Sequence, residues 1–134
     1  MISHVPAEQD VTQVINSLVS LLFASRTQAH IFHFKTSSYS AHKALDKYYS
    51  EIVGLTDSLV ESYQGKYGII SDYTPMSTII ESSDIAQMTA YFTTLEVLVE
   101  DSRKTIPQDS YIQNQVDTIV ELIHSTNYKL KFLN

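Results

Sequence analysis

The first part of the chain repeats apolar residues with a helical period. From Asp10 onward they recur at steps of three and four, a spacing that lines one face of an α-helix. The recurring residues are Val11, Val14, Ile15, Leu18, Val19, Leu22 and Phe23. Asp10 follows Pro6 and is predicted to be the N-cap. We therefore predict a first helix over about residues 10–35, followed by a turn in which Ser38 or Ser40 caps the next helix.

Three more helices are predicted by the same pattern. The second runs from about residue 41 to 64, where Gly65 and Gly68 provide a stop. The third covers about residues 84–105, with Asp84 as its cap and Pro107 beyond its end. The fourth begins near residue 109 or 110. Apolar residues of the third helix are expected to face inward, and these are Ile85, Met88, Phe92, Leu95, Leu98 and Val99.

The lengths of the connections predict how the helices are arranged. Short links join the first helix to the second and the third to the fourth, which favours two antiparallel hairpins. Residues 65–83 form a longer link, with one short helix predicted near Met76–Glu81, and this link can run the length of a bundle. The predicted fold is all-α: a ferritin-like four-helix bundle with a long middle crossover connection, in a single domain over residues 1–134.

Composition and charge narrow the function classes. The chain has 134 residues and no cysteine, which excludes a disulfide framework and a cysteine zinc site. No apolar run approaches the ~20 residues that cross a bilayer, so we expect a cytoplasmic protein without a membrane anchor. Nine Lys and Arg stand against 15 Asp and Glu, a net charge of −6, and the first basic residue is Arg26. Direct DNA binding is therefore disfavoured.

One short motif is typical of metal sites in helical bundles. Glu121 and His124 form a Glu-x-x-His pair, whose members share one helix face. A di-iron site within one chain needs this motif on two helices, and the second copy is absent. The pair is therefore interpreted as solvated or interfacial, and an intramolecular di-iron site is disfavoured.

A second set of five residues gives a more specific pattern. Its members are His30, His42, Asp46, Asp57 and Glu61. The last four lie on the second helix at about 0°, 40°, 60° and 100°, because each residue turns about 100°. They therefore share one face. Since His30 and His42 are equally distant from position 36, an antiparallel hairpin is expected to bring them opposite each other, whereas His33 is interpreted as structural or surface-exposed.

Axial distance shows that one chain cannot close a site from all five. Asp46 and Asp57 are eleven residues apart, which is about 16 Å along a helix. Metal–ligand bonds are about 2 Å long, so the chain carries a His/His/Asp half-site and a separate Asp/Glu half-site. A two-fold, antiparallel pairing of the helix with its copy would bring unlike halves together. The spacing thus predicts a metal site shared between subunits.

At these residues the sequence resembles the Dps-type miniferritins. The matching segments are Gln28-Ala-His30, Ser40-Ala-His42-Lys-Ala-Leu-Asp46 and Leu55-Thr-Asp57-Ser-Leu-Val-Glu61, followed by Gly65. The resemblance implies a ferroxidase that oxidises Fe(II) with hydrogen peroxide or dioxygen, a homo-oligomer of twelve subunits, and storage of Fe(III) in its hollow shell. It also implies that His30, His42 and Asp46 from one subunit, with Asp57 and Glu61 from its neighbour, are the iron ligands and catalytic residues.

Two departures and one rival interpretation accompany the resemblance. The family usually has Trp after its first ligand histidine, whereas this chain has Ile31 and no tryptophan. The basic terminal tail that binds DNA in many members is also absent. The donor types accept Zn(II) or Mn(II) as well as iron. The rival hypothesis is a helical-bundle assembly or interaction protein whose metal site is vestigial or purely structural.

Overall fold

Four helices make up the regular structure of the part of the chain that is described. The structure is a computed structural model that describes residues 7–74 and 78–134, with side chains from residue 11 onward. The helices are α1 (Ala7–Lys35), α2 (Tyr39–Tyr67), α3 (Ile85–Arg103) and α4 (Ser110–Phe132). No strand occurs among these described residues. The predicted all-α, four-helix fold is therefore confirmed.

The helix ends follow the capping residues of the sequence, except at Asp10 and at Gly65, which was predicted to stop α2 but lies inside it. The Ser38 hydroxyl accepts the backbone N–H of Ala41 at 3.2 Å, and the Asp84 carboxylate accepts that of Ala86 at 3.1 Å. Gly68 ends α2 with a φ of 103°, a conformation that favours glycine. The prediction for Asp10 is wrong: α1 already begins at Ala7, so this residue lies inside the helix rather than at its cap.

The core lies between two layers of paired helices. Helix α1 packs on α2, α2 on α4, and α3 on α4, whereas α1 and α3 touch more lightly. Tyr48 is fully buried at the centre, where its hydroxyl hydrogen-bonds Ser25 of α1 at 2.7 Å and its ring meets the edge of Phe92 of α3. Leu98 and Phe23 were predicted to face inward, but they are 44% and 46% exposed. They therefore lie on the surface of the bundle rather than in its core.

The connection between α2 and α3 runs along α1. Near its start, the Asn16 side chain donates to the carbonyl of Ser71 and accepts the N–H of Thr74. Near its end, the Gln28 amide donates to the carbonyl of Ile80 at 2.8 Å and accepts its N–H at 2.7 Å. The crossover therefore travels from one end of the bundle to the other, as the sequence predicts.

The short helix predicted within this crossover is wrong where the structure describes it. Residues 78–81 have no helical structure, and Met76 and Ser77 lie outside the described residues. The physical reason is the Gln28 side chain, which takes up both backbone hydrogen-bonding groups of Ile80.

The sequence also predicts that no segment crosses a membrane. None of the described helices is long and apolar enough to do so.

Asp109 closes the end of the bundle opposite the α1–α2 turn. It stands at the N-cap of α4, yet its carboxylate makes no capping bond. Instead it accepts hydrogen bonds from Lys66 Nζ and the Tyr67 hydroxyl, both at 2.6 Å, and from the Tyr111 hydroxyl at 3.2 Å. Lys66 and then Tyr67 are the main causes that lower the pKa of Asp109 to about 2. The carboxylate thus links the end of α2 to the start of α4.

This link predicts a loss of stability in acid. A carboxyl whose pKa is lower in the folded chain stabilises the fold above its unfolded value of 3.8, and this contribution is lost as the pH falls towards 2. We expect Asp109→Asn to be less stable than the wild type at pH 5, with the difference shrinking between pH 4 and 2. Thermal unfolding followed by circular dichroism checks this, with Asp101→Asn as the exposed control. A difference that stays constant down to pH 2 would contradict it.

Candidate functional site

Two histidines meet where α1 ends and α2 begins. The rings of His33 and His42 stack with centroids 3.7 Å apart and planes 21° apart. Each Nδ1 bonds the other residue's backbone carbonyl oxygen, His33 to His42 at 2.9 Å and His42 to His33 at 3.1 Å. Because a carbonyl oxygen only accepts, both Nδ1 atoms carry the hydrogen. The pair therefore joins the two helices and has a defined tautomer.

This tautomer has a consequence for metal binding. In a neutral imidazole with hydrogen on Nδ1, the lone pair is on Nε2. Histidines that bind metals commonly donate their other ring N–H to a carbonyl or carboxylate, which fixes the ring. His33 and His42 both have this arrangement. Their lone pairs lie in nearly parallel planes, however, so the stacked rings do not converge on one point, and an ion needs ligands from elsewhere.

A second group of rings lies beside this histidine pair. His30 stacks between Tyr49 and Phe34, with centroid distances of 4.0 and 4.7 Å. The Tyr49 hydroxyl hydrogen-bonds the Asp46 carboxylate, which is the largest cause raising the pKa of Tyr49. His30 makes no hydrogen bond with any residue that the structure describes. Asp46 is thus placed one helical turn beyond His42, on the same side of α2.

The register of the hairpin differs from the sequence prediction. His30 was expected to face His42, but the ring stacked on His42 is that of His33. The cause is the position of the turn: α1 ends at Lys35 and α2 begins at Tyr39, and the reciprocal bonds of His33 and His42 centre the hairpin between residues 37 and 38 rather than on residue 36. His33, interpreted from the sequence as structural or surface-exposed, is therefore the partner of His42, and its position relative to the Thr36–Ser38 turn was a usable signal.

The acidic half of the predicted site lies further along α2. Asp57 and Glu61 are both exposed and form no ion pair with a described residue. Among the side chains that the structure describes, in residues 11–74 and 78–134, no three His, Asp or Glu lie close enough together to hold a metal ion. A single copy thus presents two incomplete halves on one helix. The isolated motif residue His124 pairs with Glu96 at 2.9 Å rather than with Glu121.

The two halves are arranged symmetrically along α2. The midpoint between His42 and Glu61 coincides with that between Asp46 and Asp57, and both fall between residues 51 and 52. A two-fold axis at this point would set each histidine-end residue against an acid of a second α2. Beside it lies Gly54, where an added Cβ would meet no atom within 4 Å. Glycine inside a helix costs about 0.5–1 kcal/mol relative to alanine, and nothing within the chain requires it there.

Comparison with known proteins identifies the family. A family model described as a family of unknown function, DUF5856, matches residues 33–130. An uncharacterized 14.6 kDa protein from the mobD-ri intergenic region of Enterobacteria phage T4 is 30% identical over 113 residues, which cover 84% of each chain. No solved structure matches the chain. The chain therefore belongs to the DUF5856 family.

This family assignment corrects the one suggested by the sequence. The resemblance to Dps-type miniferritins is wrong, because the family and the relative that match are different ones. The resemblance rested on a short stretch, about residues 26–65. Its pattern consists largely of two pairs of histidines and acids, each four residues apart, and this is the spacing of neighbours on any helix face. The twelve-subunit shell and the storage of iron were implied only by that resemblance and lose their basis with it.

Proposed function

We propose that this member of the DUF5856 family is an assembly-forming helical bundle whose α2 helices pair antiparallel in a homodimer and hold a divalent transition-metal ion between subunits. At the histidine end, His42 would supply a nitrogen ligand and Asp46 an oxygen ligand, while His33, stacked on His42, would hold that ring in place. The acidic end of the second copy, Asp57 and Glu61, would supply the rest. The observation that carries the proposal is the common midpoint of these residues on α2.

The chemistry of the donors supports the histidine half. The bonds from both Nδ1 atoms to carbonyl oxygens fix the imidazoles in the tautomer with a free Nε2. Asp46 lies one turn from His42 and is half-buried. A mixed set of imidazole and carboxylate ligands suits Fe(II), Zn(II) and Mn(II). One imidazole, with carboxylates from both copies, is enough for an ion that binds three or four protein ligands.

The surface of α2 supports the pairing. Ser50 and Gly54 are exposed and small, and they lie near the proposed two-fold axis, where a second helix could approach closely. Asp57 and Glu61 carry negative charge without a cationic partner among the described residues, and a metal ion would compensate it. Helix α2 therefore has small residues at the centre of the proposed pairing, and its two ends carry the two complementary sets of metal ligands.

Substitution of Gly54 tests the pairing. Gly54→Arg meets open space within one chain, so the fold should form, but the larger side chain would block the approach of a second α2. We expect the wild type to have about twice the 15.2 kDa mass of one chain in light scattering. Gly54→Arg should be monomeric and should bind Co(II) with at least tenfold lower affinity, which is about 1.4 kcal/mol of binding free energy.

The matched control is Gly65→Arg on the same helix. Gly65 is also exposed, and its added Cβ would also meet no atom within 4 Å, but it lies beyond the segment that the proposal pairs. This variant should remain a dimer and bind metal like the wild type. A monomeric wild type at micromolar concentration, or a dimeric Gly54→Arg, would refute the pairing.

A further inference from the structure

An open surface pocket with three lysines lies between the start of α2 and the end of α4. Its volume is about 540 Å³, within the range of small-molecule sites. We call it the lysine pocket, and the residues that define it are Tyr39, Lys43, Asp46, Lys47, Lys129 and Leu133. It opens on the side of α2 that faces α4. Neither the metal-binding proposal nor the DUF5856 description assigns it a role.

The charges of this region differ from those of the whole chain. The net charge is −6, yet five of the nine basic residues stand at this end of the bundle, on the last turns of α1 and α4 or the first turns of α2. They are Lys35, Lys43, Lys47, Lys129 and Lys131. Lys35 pairs with Glu81, and Lys47 lies 3.9 Å from Glu51. Lys43 and Lys129 have no acidic partner within 4 Å among the described residues.

The position of Lys43, near the start of α2, is unfavourable for a positive charge without a ligand. The N-terminal end of a helix carries a partial positive charge, which favours acidic rather than basic residues there. The first turn of α2 contains no acid, and Lys43 follows directly in the second turn. The Asp46 carboxylate is engaged by the Tyr49 hydroxyl. An anion in the pocket would compensate Lys43 and the N-terminal end of α2, whereas Lys129 stands in the last turn of α4, where the helix end already favours a positive charge.

The remaining walls indicate what the anion is attached to. The Tyr39 side chain is 75% exposed and Leu133 is 52% exposed, so the rim offers an aromatic ring and an aliphatic group. A flat base stacked on tyrosine is favourable whatever its identity, because every base has a π-face. The volume exceeds what a phosphate alone would fill.

We propose that the lysine pocket binds a nucleotide, with its phosphates at Lys43 and Lys129 and its base against Tyr39. The nucleotide is either free or the terminal residue of a strand. Charge-assisted contacts to phosphate weaken as salt is added, so the affinity should fall between 50 and 300 mM NaCl. The pocket shares Asp46 with the proposed metal site, and the Tyr39 ring lies against His42 with centroids 6.5 Å apart, so the pocket is tested on the metal-free protein.

Calorimetric titration of the metal-free protein tests the pocket, with ATP, tripolyphosphate and adenosine as probes. ATP should bind at least about tenfold more tightly than tripolyphosphate, since only ATP has a base, and adenosine should not bind measurably. Lys43→Gln/Lys129→Gln should weaken ATP binding at least about tenfold. Tyr39→Ser should weaken the binding of ATP but leave the affinity for tripolyphosphate unchanged. Lys104→Gln, at the opposite end of the bundle, is the matched control and should bind ATP like the wild type.

Several results would overturn the proposal. They are no ATP binding at millimolar concentration, equal binding of ATP by the double lysine variant and the control, and equal affinity for ATP and tripolyphosphate. A 5′-phosphorylated oligothymidylate of eight residues distinguishes the sources. Competition with ATP for one site supports a strand terminus as the ligand, whereas binding that strengthens with strand length and leaves ATP bound contradicts the pocket. Circular dichroism of each variant shows that it is folded.

Discussion

Replacing Tyr48 by alanine is expected to lower the free energy of unfolding by about 3–5 kcal/mol, the range for truncating a large buried ring. Tyr48 is fully buried and connects three helices, since it belongs to α2, bonds Ser25 of α1 and touches Phe92 of α3. Burial is also the largest cause that raises the pKa of its hydroxyl. Urea unfolding followed by circular dichroism measures the loss.

Tyr48→Phe separates packing from hydrogen bonding. This variant keeps the ring and removes only the hydroxyl, and Ser25 still donates to the Leu22 carbonyl at 2.7 Å. The expected cost is therefore about 1 kcal/mol. If both variants lower the free energy of unfolding by the same amount, this would contradict the conclusion that the Tyr48 ring holds the three helices together.

The second large effect concerns metal binding. Asp57→Asn/Glu61→Gln is expected to reduce the affinity for Co(II), followed by its visible absorption, by at least about 100-fold, because both carboxylate charges of one half-site are lost. The fold should be unaffected, since both side chains are exposed and unpaired with described residues. Glu121→Gln/His124→Gln is the matched control, and it should bind Co(II) like the wild type.

The same variants decide what the metal does. Oxidation of Fe(II) by peroxide or dioxygen stays a prediction, and it is measured by adding Fe(II) anaerobically and then the oxidant. Faster oxidation by the wild type than by Asp57→Asn/Glu61→Gln would support a ferroxidase. Equal rates, together with intact Co(II) binding by the wild type, would leave a metal-stabilised assembly as the function.

Local signals predicted most of the fold. Ser38, Asp84 and Gly68 set helix ends by interactions that reach only a few residues, so a single sequence contains them. The path of the crossover depends instead on the side chains of Asn16 and Gln28, more than 50 positions away. The short helix predicted there was wrong for this reason, since long-range hydrogen bonds replaced the local ones.

The candidate site was predicted in its residue types but not in its register. A shift of about one and a half residues in the centre of the hairpin exchanged His30 for His33 as the partner of His42, because neighbouring turns of a helix present similar faces. The reciprocal bonds to backbone carbonyls, which fix the tautomers, are visible only in three dimensions. Spacing along α2 was more reliable, since a helix fixes axial distance at 1.5 Å per residue.

Complementation between two defective chains tests most directly whether one ion is held by two copies. His42→Gln/Asp46→Asn lacks one half-site and Asp57→Asn/Glu61→Gln lacks the other, so neither should bind Co(II) alone. When equal amounts are refolded together, half of the dimers are mixed and each mixed dimer contains one complete site. We expect about a quarter of the wild-type Co(II) binding to return. A mixture that binds no more than the separate variants would contradict a site shared between α2 helices.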